Sequence, residues 1–365
     1  MTIKEITNQF ELLAPPPLQE AYDNSGLLTG NALWECTGAV FCLDATEEVV
    51  LEAVEKKYNL VIAHHPIIFS GLKKINGKNY VEKAVIAAIK NDIAIYVIHT
   101  NLDNVLHGVN AKIADKLGLI NRRVLLPKSN LLKKFFVFVP AAQAELVRNA
   151  IFAAGGGHIG NYSECSFNTN GEGTFKAGEG SSPFVGKARQ LHTELEVKIE
   201  VIFPGWLQHT IVSAVKAVHP YEEMAYDVVP LENAWQNAGS GLVGDLETEL
   251  TETGLLELLK QLFNLTVIRH TALLGKKVKK IAVCGGAGSF LTGEALASGA
   301  DFYITADVKY HEFFDANNRL VIADIGHYES EQFTIDLLYE FLQQKFPTFA
   351  SLKTGVNTNP VRYFK

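Results

Sequence analysis

Short apolar runs alternate with helical patterns over the first third of the chain. Ala39–Leu43 is apolar throughout and reads as a strand. From Thr46 through Lys57 the apolar positions recur at steps of three and four, which is the spacing of one helix face. Leu60–Ala63 is a second strand running into His64-His65-Pro66, and Val81–Lys90 is a helix. Ile93–Ile98 is a third strand, closing in His99-Thr100-Asn101-Leu102-Asp103. Strands of this length alternating with helices predict α/β architecture, a mostly parallel sheet with flanking helices.

The final third repeats the rhythm. Strands are predicted at Lys280–Cys284, Asp301–Thr305 and Leu320–Asp324. Gly285-Gly286-Ala287-Gly288 reads as a turn into a helix, Val308–Ala316 as a short helix, and Glu329–Gln344 as a long one. Two matching arrays predict one discontinuous α/β domain built from both chain ends by pseudo-duplication, residues 1–130 with 232–365. The middle differs. Strand Phe135–Val139 and helix Ala142–Ala153 precede a Gly- and Ser-rich stretch, Gly155 to Lys187; strand Glu194–Phe203, helix Trp206–Val218 and strand Ala225–Val229 follow. This order predicts an inserted ferredoxin-like α+β domain over residues 131–231. A loop as long as the Gly-rich one is functional, an oligomer arm or mobile.

Composition narrows the function classes. A chain of 365 residues suits two domains. Net charge is −7 without a basic block, so bulk electrostatics give no drive toward nucleic acid or an anionic membrane. No apolar run reaches the roughly 20 residues a membrane span needs. Cys36, Cys42, Cys165 and Cys284 are scattered without a CxxC pair, which suits free thiols in a reducing compartment. The opening residues read as a helix with a Thr2/Glu5 capping box and not as a signal peptide, so a cytoplasmic location is expected.

The chemistry gathers at strand ends. His64 and His65 close a buried parallel strand, and neighbouring side chains of extended chain point to opposite sides, so each can serve a different metal or a different face of one site. A pair of core histidines bonded to backbone is the alternative. Asp103 follows another strand, where open parallel sheets bind ligands; its alternative is a helix cap. His327 and Glu331 stand at i, i+4, placing imidazole and carboxylate on one helix face. Together these supply three nitrogens and two carboxylates. That count suits two divalent ions sharing a bridging carboxylate, with positions open to water. Nitrogen and oxygen donors without thiolate fit Zn, Mn, Fe or Co.

Other candidates are less specific. Gly285–Ser289 lacks both the GxGxxG spacing and the P-loop lysine, and reads as a tight turn more than a phosphate cradle. Lys309, Tyr310 and His311 open a helix where they suit substrate contacts or a solvated helix start. Glu329 and His311 are the candidates for a general base. His219-Pro220-Tyr221-Glu222-Glu223 reads as a turn leading into a strand, and His158 carries no signal.

The motif series makes a resemblance specific. Asp23-Asn24-Ser25-Gly26, Leu43-Asp44-Ala45-Thr46, His64-His65-Pro66, His99–Asp103, Gly239–Gly244, Ala306–His311, His327–Glu331 and Thr358-Asn359-Pro360 resemble, in order and over nearly the whole chain, the Nif-three-like family. Its members are often labelled GTP cyclohydrolase type-two homologues. Through Gly160-Asn161-Tyr162-Ser163 and His219–Glu223 the insert resembles the PII-like domain of the longer members. The resemblance implies His64, His65, Asp103, His327 and Glu331 as metal ligands, and a toroidal homohexamer with metal sites facing an internal cavity. Tyr22 stands where the family usually has Trp, Leu242 where Arg is frequent, and Met224 where Pro often follows; none is a ligand, though an anion contact at 242 is lost. Two functions follow as expectations. One is a metal-dependent hydrolase of a nucleotide-like or small polar substrate. The other is a non-catalytic metal-binding or metal-delivery protein whose PII-like domain senses an effector.

Overall fold

The computed structural model describes residues 1–364. It divides into two compact units, Met1–Leu126 with Asn237–Lys365, and Pro127–Gln236. The first unit holds two sheets. In one, the order is Gly26–Thr29, Ala94–Val97, Leu60–His65, Ala39–Asp44, Ser351–Lys353. The last four strands are parallel and Gly26–Thr29 is antiparallel to its neighbour.

The central strands are apolar at every early position because helices cover both faces. Phe41, Ile62 and Tyr96 pack against Ile3, Ile6 and Phe10 of helix Ile3–Leu13 and Leu338 and Leu342 of helix Thr334–Lys345. The alternate residues Val40, Val61 and Ile95 pack against Val49 and Ala53 of helix Glu47–Glu55 and Ala84 and Ala88 of helix Tyr80–Lys90. Truncating a fully buried ring such as Phe41 to alanine is expected to cost about 3–5 kcal/mol. Polar caps fix where the helices begin. Thr2 and Glu5 form a reciprocal capping box, and the Thr46 side chain accepts the Val49 N–H.

The second sheet runs Arg269–His270, Val321–Asp324, Phe302–Ala306, Lys277–Ala287, Trp235–Thr251, Ile120–Lys128. Its three middle-left strands are parallel, with antiparallel neighbours at Arg269–His270 and Trp235–Thr251. Each half of the chain gives an edge strand to the other's sheet: Ser351–Lys353 joins the first and Ile120–Lys128 the second. The two sheets therefore belong to one unit and not to two sequential domains.

Residues 127–236 form a four-stranded antiparallel sheet, ordered Phe167–Lys176, Leu191–Pro204, Leu132–Pro140, Tyr226–Pro230. With helices Ala144–Ala153 and Gln208–Val218 the element order is β-α-β-β-α-β. Phe135, Val137, Ile199 and Val201 bury one sheet face against Val147, Ile151, Ile211 and Val215 of the two helices. Phe136, Phe138, Glu196 and Lys198 fall, by strand alternation, on the opposite face.

Three sequence expectations are corrected. The Gly-rich stretch contains a full strand, Phe167–Lys176, paired residue by residue with Leu191–Glu200; its glycines and asparagines hid it because they lower strand propensity. Gly285, Gly286 and Ala287 are strand, the end of Lys277–Ala287, and not a turn. The long helix is broken into His327–Glu331 and Thr334–Lys345.

Candidate metal centre

His64 and His65 are the last residues of strand Leu60–His65, and alternation sends them to different sides. His64 is fully buried, and its Nδ1 donates to the Ile98 carbonyl oxygen at 2.9 Å. A carbonyl can only accept, so the proton sits on Nδ1 and the Nε2 lone pair faces inward. That Nε2 and Asp103 Oδ1 are both buried without a hydrogen-bond partner, 3.6 Å apart. Two orphaned lone pairs aimed at one another are costly unless a cation lies between them.

His65 and His327 follow the same plan with carboxylates. His65 Nδ1 meets Asp44 at 2.9 Å, and His327 Nδ1 meets Asp307 at 2.7 Å. Their Nε2 atoms lie 3.4 Å apart and reach Glu331 Oε2 at 2.9 and 3.1 Å. The other Glu331 oxygen, Oε1, is 3.9 Å from His64 Nε2. Donor atoms therefore gather in two groups, His64/Asp103/Glu331 and His65/His327/Glu331, either of which could hold a metal ion. All five residues expected from the sequence come together. A third group, His64/His65/His99, shares two of the same imidazoles.

Burial and hydrogen bonding set the charges of these groups in opposite directions. Burial opposes charge on His65, but hydrogen bonds to Asp44 and Glu331 outweigh it and push its pKa up to about 10. Asp307 and Glu331 likewise outweigh burial at His327 and push it up to about 11. Glu331 is held well below the ordinary carboxylate range, burial being overridden by hydrogen bonds from His327 and His65. Asp103 goes the other way: burial and the Glu331 charge push it up to about 7. A divalent cation bound to these donors would compete with their protons.

Sequence reasoning missed the residues that orient the ligands. Asp44 and Asp307 each fix one imidazole, the arrangement common behind metal-binding histidines. Asp23 does the same for His99, taking its Nδ1 at 2.7 Å along with the Thr100 N–H and hydroxyl. The available signal was position: Asp44 ends strand Ala39–Asp44, and Asp307 follows strand Phe302–Ala306. Asp307 also holds a φ of 55°, left-handed backbone that a non-glycine residue adopts at a cost.

The site opens into a cavity of about 380 Å³, lined among others by His65, His99, Asp103, His327, Glu331 and Tyr22. Glu329 and His311 are not among its lining residues. Glu329 instead accepts from Asn359 at 3.1 Å, and His311 stacks on Phe314. Lys309 and Tyr310 are also absent from the cavity wall, with Tyr310 largely exposed. The Gly285 and Gly286 N–H groups are taken by Asn110 and Ser330, so they do not form an open phosphate cradle.

Fold and site together define a mixed α/β protein with histidine–carboxylate clusters suited to metal ions at the carboxyl ends of its strands. The chain belongs to the Duf34/NIF3 (NGG1p interacting factor 3) family, whose profile matches residues 1–360. A GTP cyclohydrolase 1 type 2 homolog of Halalkalibacterium halodurans is 38% identical over 359 residues, spanning 97% of this chain and 96% of the relative. Its Bacillus subtilis counterpart is 36% identical over 370 residues, spanning 99% and 98%. The crystal structure of a Bacillus cereus protein related to NIF3 aligns with a TM-score of 0.88 and 39% identity, covering 100% of this chain and 99% of that one. Among the described residues no helix is long and apolar enough to cross a membrane.

Proposed function

We propose that this chain holds two divalent metal ions and uses them to hydrolyse a nucleotide-like or other small polar molecule. The observation that carries this is Glu331, whose two carboxylate oxygens face different donor groups, His64 with Asp103 on one side and His65 with His327 on the other. All-nitrogen-and-oxygen donors suit Zn, Mn, Fe or Co. When bound, a pair of such ions supplies Lewis-acid polarisation and lowers the pKa of a coordinated water. The protein's part is to keep each imidazole in the tautomer that offers Nε2, through Ile98, Asp44 and Asp307. The cavity above them limits the substrate to a small molecule. The names of the relatives are compatible with a nucleotide-like one, though a family name does not fix a reaction.

One observation favours a second reading, metal binding or delivery without catalysis. Glu20 and His99, the cavity-wall groups outside the five expected ligands best suited to act as a base, are each engaged by the protein: Glu20 accepts the Asn104 amide at 2.8 Å and His99 Nδ1 meets Asp23 at 2.7 Å. We further propose a homohexamer with the sites facing an internal space, a cytoplasmic location, and a ferredoxin-like, PII-like role for residues 131–231 in sensing an effector. Turnover of nucleotides, phosphoesters and cyclic amides by metal-loaded protein, with His65→Ala as control, separates the readings. Metal-dependent turnover abolished in His65→Ala supports hydrolysis; metal binding without turnover of any substrate supports metal handling.

A further inference from the structure

Two features of the sequence remain outside the metal centre, the Gly-rich stretch and His219-Pro220-Tyr221-Glu222-Glu223. The second compact unit brings them together. Between the helix-free face of its sheet and the segment after Lys176 lies a cavity of about 780 Å³. That is the size of a small-molecule site.

Aromatic rings form its walls. Phe175 and Phe184 stand 5.9 and 6.4 Å from Tyr221, tilted by 60° and 54°, and Phe138 lies on the sheet beneath. Glu196 provides the polar anchor. One of its oxygens accepts the Tyr221 hydroxyl at 2.9 Å. The other occupies space left open by Gly173, where a Cβ would collide with the carboxylate. A glycine inside a strand weakens pairing, and here it makes room for a charge beside the cavity.

The surrounding contacts are built to hold this shape. His219 is buried, its Nε2 donating to the Phe138 carbonyl at 3.0 Å and its Nδ1 accepting the Tyr221 N–H at 3.1 Å. Both ring nitrogens are used, so His219 sets the turn that presents Tyr221 and is not a free ligand. Glu222 accepts the Ser182 N–H at 3.2 Å and ties the overlying segment down. The charge balance of the wall is negative: Glu172, Glu196, Glu222 and Glu223 against Lys176 and Lys198. Lys198 is itself paired with Glu200 at 2.8 Å.

Tilted rings around a carboxylate are the means by which proteins recognise organic ammonium groups, since ring faces and carboxylate both attract positive charge. We infer that this cavity binds a small organic cation, its charge at Glu196 and its apolar body between Phe175, Phe184 and Tyr221. The proposal is independent of the metal centre.

Calorimetric titration of the full chain with tyramine and choline, and with benzoate as an anion of similar size, tests it. At least one cation is expected to bind saturably, and benzoate not to bind. Glu196→Gln keeps an acceptor for Tyr221 while removing the charge, and is expected to weaken cation binding about tenfold. Phe175→Leu keeps apolar bulk without the ring face and is expected to weaken it several-fold. Both variants should keep the far-ultraviolet dichroism and the thermal unfolding of the parent, which shows that they fold. Absence of binding by both cations, binding of benzoate as tight as that of tyramine, or affinity unchanged in Glu196→Gln overturns the proposal.

Discussion

Gly286 leaves open the space that the Glu331 carboxylate enters: a Cβ on Gly286 would lie inside contact distance of Glu331 Oε1 and 3.3 Å from His327 Cε1. Gly286 also holds a φ of 63°, where a side chain is strained in any case. The glycine is therefore part of the site without being a ligand. Gly286→Ala is expected to push Glu331 from its shared position and to destabilise the fold by about 1–3 kcal/mol. Metal content measured by atomic emission should fall while the far-ultraviolet dichroism stays that of the parent. Full metal content in a folded Gly286→Ala protein would contradict this role.

Orientation of the imidazoles gives a second test. Asp307→Asn replaces a carboxylate that takes the His327 Nδ1 proton at 2.7 Å, and Asp44→Asn does the same at His65. Each is expected to weaken metal affinity about 10–100-fold without removing a ligand. Competition against a chromophoric chelator reads this directly. Unchanged affinity in both variants would mean that the second nitrogen of each ring does not tune the first.

Metal uptake should release protons. Against burial, carboxylate partners push the pKa of His65 up to about 10 and that of His327 up to about 11, so an incoming ion competes with a proton on each Nε2 at neutral pH. Titration in buffers of different ionisation enthalpy is expected to show net proton release, and affinity should rise with pH across the neutral range. Affinity that falls with rising pH would run against the sign.

Stability of the metal-free protein carries the same sign. The folded pKa values of Asp103, His65 and His327 are all raised, from ordinary values of 3.8 and 6.5. Their contribution is fully present below those ordinary values and is lost as pH climbs through the folded ones. Asp44 is lowered because His65 overrides its burial, and Asp307 is lowered chiefly by the His327 hydrogen bond, so their contribution is instead lost in acid. With chelator present, the unfolding temperature is expected to decline between about pH 6 and pH 9, and added metal to flatten that decline. A rise over this interval without metal would contradict the assignment.

How far the sequence spoke depends on the kind of signal. The parallel strands were legible because two covered faces leave continuous apolar runs such as Leu60–Ala63. The five gathered donors were legible because His64 and His65 close a strand, Asp103 and His327 follow strands within a few residues, and Glu331 stands one helical turn beyond His327. Edge strands were not: Gly26–Thr29 and Ser351–Lys353 are short, half-exposed and lack an apolar run. Phe167–Lys176 was hidden by glycine and asparagine, whose low strand propensity is overridden by pairing to Leu191–Pro204. The break between His327–Glu331 and Thr334–Lys345 left no Gly or Pro as a mark. Asp44, Asp307 and Asp23 were visible as residues, but which ring each would hold is a matter of distances across strands and loops far apart in the chain.

The proposed hydrolysis depends on Glu331 joining two metal positions. Crystals of the protein loaded with manganese or zinc, measured at the metal's absorption edge, test it most directly. Two anomalous peaks per chain are expected, about 3.5–4 Å apart. One should lie among His64, Asp103 and Glu331, and the other among His65, His327 and Glu331. A single peak, or two peaks that Glu331 does not touch, would contradict it.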